Sequence, residues 1–274
     1  KTNRTYNPYT YDNEIDHYQQ DHYQLILSQK LHQQWNLNVT GHYTRGRGYY
    51  EQFREDDALA DYGLEDVIIG SDTITTSDFI RRRWLDNHFY GFVFNVNYTN
   101  QKRLNMTLGG GWNQYRGKHF GEVIWAQFAS NGDIRHRYYE NDAVKNDLNY
   151  YLKVNYLAHR KVNLFLDLQF RTINYSFEAP ALETNYDIVV GQQKATWNFF
   201  NPKFGINYEL DSKHRAYTSI AIGNREPTRD DLTASTQTSR PKPETMYDWE
   251  LGAERKTRNY SVGLNAFWMI YQNQ

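Results

Sequence analysis

Along most of this chain hydrophobic positions recur with a period of two. Tyr23, Leu25, Leu27 and Leu31 share one parity, with Gln24, Ser28 and Lys30 on the other. After a short polar break Trp35, Leu37, Val39 and Tyr43 alternate with Asn36, Asn38, Thr40 and His42. A second pair holds Tyr90, Phe92, Phe94, Val96 and Tyr98, then Leu104, Met106, Leu108 and Trp112. A third holds Leu148, Tyr150, Leu152, Val154 and Tyr156, then Val162, Leu164, Leu166, Leu168 and Phe170. A fourth begins with Phe204, Ile206, Tyr208 and Leu210 and continues over 215–223 in a less distinct phase. The last joins Tyr247, Trp249 and Leu251 to Tyr260, Val262, Leu264 and Trp268. Sustained alternation marks half-buried strands, and helical stripes are scarce, so the pattern predicts ten strands in five hairpins.

The connections alternate too. Within each pair the turn is short (32–34, 100–102, 158–161, 211–214 and 256–259), and between pairs the links are long (45–87, 116–146, 174–202 and 224–245). Short turns at one end, long loops at the other and strands of about ten residues are the signature of an antiparallel transmembrane β-barrel, with tight periplasmic turns and long extracellular loops. A soluble sandwich or propeller shares the alternation but predicts loops of similar length at both ends.

Composition sharpens this picture. Only 39% of the 274 residues are hydrophobic, yet 24 Tyr, 14 Phe and 7 Trp are present. A barrel wall accounts for both: aromatics gather where strands cross the membrane interfaces, and the polar parity faces a wet lumen. Tyr23, Trp35, Tyr98, Tyr156, Phe170, Tyr260 and Trp268 are accordingly expected near strand ends. The longest apolar run, 266–271, is far short of the roughly 20 residues of a membrane-spanning helix. With 31 Lys+Arg against 32 Asp+Glu the formal charge is −1, which lacks the basic excess of a nucleic-acid binder. The absence of Cys excludes a disulfide scaffold, a thiolate metal site and a Cys nucleophile.

Motifs for chemistry are weak. Gly109-Gly110-Gly111 falls inside a strand, where glycine signals bending or close approach rather than a phosphate loop. Arg135-His136-Arg137 reads as an exposed loop cluster, and Glu55-Asp56-Asp57 and Asp230-Asp231 as solvated loop charge. No metalloprotease or hydrolase signature occurs. Spacing alone leaves a two-carboxylate hydrolase open, but no feature promotes one. No catalytic residue, cofactor or metal site is expected.

Three stretches carry a more specific likeness. The first is Tyr11-Asp12-Asn13-Glu14-Ile15-Asp16-His17-Tyr18-Gln19-Gln20-Asp21-His22-Tyr23-Gln24-Leu25. The second is Tyr43-Thr44-Arg45-Gly46-Arg47-Gly48-Tyr49-Tyr50-Glu51, followed by Asp61-Tyr62-Gly63-Leu64. The third is Asn224-Arg225-Glu226-Pro227-Thr228-Arg229-Asp230-Asp231 with Lys242-Pro243-Glu244-Thr245-Met246-Tyr247-Asp248-Trp249-Glu250-Leu251-Gly252. With these the chain resembles the TonB-dependent receptors of the Gram-negative outer membrane, in the form found in Bacteroidetes-like bacteria. The resemblance implies that 1–274 is part of a larger barrel, of about 22 strands. The plug domain, the TonB-engaging box and the closing strands would then lie outside this stretch. Lys1 without a leader and Gln274 without a terminal aromatic fit that expectation.

The resemblance further implies a transport receptor rather than an enzyme. Its expected ligand is a scarce nutrient, foremost a siderophore-type iron chelate or other metal complex. Haem, cobalamin and glycans are also family substrates. Partners implied are outer-membrane lipid, TonB through a region outside this chain, the metal chelate and a surface lipoprotein. A passive porin and an adhesin or partner-docking barrel are the alternatives. Loop aromatics and cations are the expected ligand contacts: Tyr49, Tyr50, Trp84, Trp125, Arg135, Arg137, Trp197, Phe199, Arg225 and Arg229. For Arg225, Glu226 and Arg229 a charge network fixing the loop at the barrel rim is the rival role.

Overall fold

The computed structural model describes residues 10–100, 102–179, 191–235 and 239–274. One antiparallel ten-stranded sheet dominates it, formed by β1 (Ile15–His32), β2 (Trp35–Ala58), β5 (Thr76–Thr99), β6 (Leu104–Ala126), β7 (Arg137–His159), β8 (Val162–Ala179), β9 (Gly191–Glu209), β10 (His214–Arg225), β11 (Glu244–Lys256) and β12 (Ser261–Gln272). Each of these strands pairs only with the sheet strands before and after it in sequence, and among the described residues β12 does not pair back to β1. A separate hairpin, β3 (Val67–Ile69) with β4 (Asp72–Ile74), sits in the link between β2 and β5.

The five hairpins and their short turns match the alternation, but strand length does not. β2 and β5 run for 24 residues each, against the 9–11 that cross a bilayer. Most of the expected long links therefore continue the sheet. Strand β2 extends to Ala58 and β5 starts at Thr76, while β6 ends at Ala126 and β7 starts at Arg137. The middle of the 174–202 link, residues 180–190, and residue 101 of the 100–102 turn lie outside the described residues. Polar side chains above the membrane hid this extension, because the ladder continues after apolar alternation stops.

The two faces of the sheet differ chemically along its whole width. On the outer face, cross-strand pairs such as Trp35–Tyr98, Leu37–Val96, Leu152–Leu168 and Leu166–Phe204 set apolar side chains opposite one another. These side chains stay open to the surroundings, with Leu25 79%, Ile220 56% and Leu264 78% exposed. Trp35 and Tyr98 pack at 4.8 Å beside a periplasmic turn, and Tyr156 and Tyr260 lie near other turns. The upper aromatics differ from expectation: Tyr23 sits in the middle of β1, and Phe170 in the middle of β8, packed on Tyr150 at 5.2 Å. Trp268, opposite Trp249, likewise lies inside β12. They mark the upper edge of a lipid band about 25 Å tall, beyond which the wall continues.

The inner face is polar. Asn38 donates to Asn95 at 2.9 Å, Asn97 to Asn95 at 2.6 Å and Thr107 to Asn97 at 2.8 Å, forming a hydrogen-bonded ladder across neighbouring strands. Lys153 pairs with Asp167 at 3.5 Å. Gly109 lies under the Tyr151 ring, which a Cβ would strike, so the glycine run serves close approach within a strand. Pro202 marks an interruption: the ladder to β10 stops at the Lys203–Ala221 pair, while that to β8 continues through it. Above this point the Asn224 side chain bridges to Asn201 and to the Phe200 carbonyl instead.

The two faces make opposite demands on neighbouring residues. Leu166→Arg, on the lipid face between the girdles, is expected to destabilise the full-length barrel by about 2–4 kcal/mol. Asp167→Asn, one residue along, should leave folding unchanged. Urea titration in detergent, followed by the heat-modifiable gel shift, measures both; equal losses would refute the assignment of faces.

Candidate functional site

At the extracellular end two short segments fold onto the inner face. After β2 a 3-10 helix, Leu59–Tyr62, is closed by Gly63 in the left-handed conformation (φ 65°), which glycine adopts without strain. Its Leu59 and Tyr62, with Leu64, form a buried cluster with Phe79 and Val123, and the Tyr62 and Phe79 rings stack at 4.0 Å. After β10 comes α1 (Arg229–Thr233), started by a capping box in which Thr228 accepts from the Asp231 backbone and Asp231 accepts in return. Its one buried side chain, Leu232, packs with Ala143 and Phe177, flanked by Tyr115, Tyr175 and Trp197. Apolar burial thus draws both segments inward over the lumen.

Charge holds the second segment in place. Glu226 accepts from Lys145 at 2.8 Å and from Arg171 at 3.2 Å, while Arg171 also grips Asp147 at 2.6 Å. Burial raises the Glu226 carboxyl, but its hydrogen bonds and the Lys145 and Arg171 charges outweigh it and hold the group below its ordinary range. Arg229 donates to the Glu178 carbonyl at 2.7 Å and to Asn141 at 3.1 Å, with its guanidinium 5.4 Å over the Phe177 ring.

Between the two segments lies a cavity of about 420 Å³, walled by Arg81 and Arg83 of β5, His119 of β6, Tyr138, Tyr139 and Asn141 of β7, and Arg229 of α1. Gly121 makes room for it, since a Cβ there would strike both the Tyr138 and Tyr139 rings. A bulge between Gly121 and Glu122 breaks the β6–β7 register at this level. Arg83 donates to the Tyr139 hydroxyl at 3.2 Å, and its guanidinium lies 5.8 Å from the Tyr50 ring. Arg81 donates to Gln52 and to the Tyr62 hydroxyl.

Among the described residues none of these three arginines forms an ion pair; their partners are neutral. By contrast Arg82, Arg137 and Arg171 are each paired with a carboxylate. Two exposed carboxylates, Asp61 and Asp230, also line the opening, so cations prevail in its wall. Burial, then the Arg229 and Arg83 charges, push the His119 pKa below 6.5, leaving the imidazole neutral. Burial pushes the Tyr138 hydroxyl up to about 12, so it stays protonated, and it is buried without a hydrogen-bond partner among the described residues. Unpaired guanidinium groups and a free hydroxyl donor suit an anionic ligand with several acceptor oxygens.

Of the ten expected contacts only Arg229 lines this cavity, with Tyr50 behind Arg83. The loop placement expected for most of them is corrected. Tyr49 and Tyr50 belong to β2, Trp84 to β5, Trp125 to β6, Arg137 to β7, Trp197 and Phe199 to β9 and Arg225 to β10. Tyr49, Trp84 and Arg137 occupy the outer face, and Trp125 is 47% exposed opposite Ile80. Arg135 is an exposed loop residue with φ 56°. Trp197 supports α1, and Phe199 is buried opposite Arg171. Glu226 does form a charge network at the rim, with Lys145 and Arg171, whereas Arg229 is held there by neutral partners and Arg225 lines a different pocket. The acidic clusters are structural: Asp57 accepts from Arg54 and Tyr62, and Asp231 caps α1. Arg81, Arg83 and His119 were missed because they extend strands past the apolar alternation. The arginine run Arg81-Arg82-Arg83 was the available signal: alternation splits it across two faces.

A sequence profile described as TonB dependent receptor-like, beta-barrel matches residues 1–274. The chain belongs to the TonB-dependent receptor β-barrel family. Members of the family are transporters of the Gram-negative outer membrane rather than enzymes. Among solved structures the barrel is similar to the ferric-catecholate import receptor Fiu from E. coli K12, with 11% identity and TM-score 0.60, covering 96% of this chain and 42% of that one. The ferric yersiniabactin uptake receptor FyuA from Yersinia pestis matches at 14% identity and TM-score 0.59, covering 91% and 35%. The copper transporter OprC matches at 9% identity and TM-score 0.67, covering 93% and 39%. This chain therefore spans well under half the length of these structures, and the likeness concerns the fold. No curated protein matches the sequence.

In this receptor barrel the docking of α1 should depend on pH and on Glu226. The docked His119 pKa lies below 6.5, so docking is complete above that pH and weakens as pH falls through 6.5 toward the depressed value. A protonated His119 would face Arg229 and Arg83. Hydrogen exchange of amides 228–233 should quicken across that window in the wild type and stay flat in His119→Gln. At neutral pH Glu226→Gln should quicken it at least tenfold, the loss of about 1.5 kcal/mol or more from a charge-assisted bond.

Proposed function

We propose that this chain is the wall of an active-transport receptor that captures an anionic metal chelate, of the siderophore type, in the cavity between the 3-10 helix and α1. The single observation that carries the reading is the set of arginines lining that cavity without carboxylate partners. A volume of about 420 Å³ suits a compact chelate, and guanidinium forks match oxygen-rich anions. Fiu and FyuA are import receptors for ferric chelates by description and OprC is a copper transporter, which supports a metal complex as cargo. In this reading a plug domain and further strands belong to other parts of a longer chain. Those strands cover the edges of β1 and β12, since lipid tolerates no open sheet edge. The plug couples to TonB, whose energy releases the bound chelate inward.

The test uses the full-length receptor. Arg81→Gln with Arg83→Gln should weaken binding of a ferric catecholate or ferric hydroxycarboxylate at least tenfold, at about 1.5–3 kcal/mol per charge-assisted bond, as read by intrinsic tryptophan quenching. Arg258→Gln at a periplasmic turn should not change it. Uptake of the labelled iron complex should collapse on dissipating the proton gradient. Flux that persists would identify a porin, and unchanged binding in the double variant would remove the cavity from the mechanism.

A further inference from the structure

The cavity between the 3-10 helix and α1 holds charges of both signs that do not meet. Arg81, Arg83 and Arg229 are half-buried in its wall, and Asp61 and Asp230 stand exposed at its opening. Asp61 comes from the 3-10 helix and Asp230 from α1, so each flanking segment brings one carboxylate to the same mouth. Among the described residues neither carboxylate forms an ion pair. The guanidinium groups are spent on neutral acceptors instead: Arg83 on the Tyr139 hydroxyl at 3.2 Å, Arg81 on Gln52 at 3.1 Å and Arg229 on the Glu178 carbonyl at 2.7 Å.

Neighbouring acids already meet the structural needs of both segments. Asp57 accepts from Arg54 at 3.0 Å and from the Tyr62 hydroxyl at 2.7 Å, which fastens the 3-10 helix to β2. Asp231 accepts from the Thr228 amide at 2.8 Å and closes the capping box of α1. The Asp61 and Asp230 carboxylates accept no hydrogen bond from a described residue. A purely anionic ligand drawn to the guanidinium groups meets these two carboxylates at the mouth, and like charge disfavours it. A protonated amine at the outer end of the ligand turns the same repulsion into attraction.

The geometry points to a zwitterionic cargo: a metal chelate whose donor oxygens face Arg81, Arg83 and Arg229 and whose free ammonium group sits between Asp61 and Asp230. The two carboxylates then determine specificity, rejecting chelates of the same shape that lack the amine or carry it blocked. Such selectivity rests on the cavity being the chelate site, and it supplies the second charge that the arginines alone do not specify.

Full-length receptor in detergent is titrated with two matched ferric complexes, of dopamine and of N-acetyldopamine, which share catecholate oxygens and differ in the ammonium group. Intrinsic tryptophan quenching reads the binding. Wild type should bind the dopamine complex about tenfold more tightly, the scale of two exposed ion pairs. Asp61→Asn with Asp230→Asn should abolish that preference by weakening the dopamine complex and not the other. Asp61→Asn alone, which leaves α1 untouched, should remove about threefold of it, and Asp61→Glu with Asp230→Glu should keep most of it. Asp72→Asn, in the β3–β4 hairpin, should change neither complex. Hydrogen exchange of amides 228–233 verifies that α1 stays docked in each variant. Equal wild-type affinity for the two complexes, or equal weakening of both by Asp61→Asn, overturns the zwitterionic specificity and leaves the chelate site standing. If Arg81→Gln with Arg83→Gln changes neither complex, the chelate site itself is refuted, and if wild type binds neither complex, both readings fall.

Discussion

Hydrocarbon offers no hydrogen-bond partner to a peptide group, and the arrangement of this chain follows from that constraint. Each strand between β1 and β12 spends its backbone donors and acceptors on neighbours at both sides, and β1 and β12 spend theirs on one neighbour each among the described residues. With the backbone satisfied within the sheet, side chains need only suit the medium each face meets. Apolar groups turn outward, and an amide and hydroxyl ladder turns inward. No central core is required, and a chain only 39% hydrophobic suffices.

The same division permits the site. Above the lipid band both faces meet water, and the strands continue with polar and charged residues. There the short extracellular segments bend inward, each fixed by a small apolar cluster and by hydrogen bonds to the wall. The cavity inherits its chemistry from strand residues, because strands hold side chains in place better than loops do. Neighbouring arginines serve opposite faces: Arg82 pairs with Glu51 outside, while Arg81 and Arg83 face the lumen.

Much of this was legible in the sequence where one face is apolar. Alternation located all five hairpins and their periplasmic turns, because lipid exposure demands a strict period of two. Small residues blurred β10, where Ala216 and Thr218 face outward and Ser219 and Ala221 inward. Above the membrane the alternation lapses, since water accepts any polar side chain on either face. The strands therefore run on past the point where alternation stops, and Tyr49, Trp84 and Arg137 belong to strands rather than to loops. The capping box at Thr228 and the closing glycine at 63 are local signals of inward-folding turns. What packs beneath them depends on strands more than a hundred residues away, as with His119 and Arg229.

The strict neighbour-to-neighbour order of the long strands bears on how such a wall is made. No sheet strand waits for a distant segment, so the loop to be closed at each addition is only the local link between neighbours, and its entropic cost stays small. A hairpin can join the growing edge as soon as it is delivered, presenting its own free edge to the next. The sheet is thus suited to construction by sequential addition at the membrane, with a single exposed edge advancing through the chain instead of many open at once.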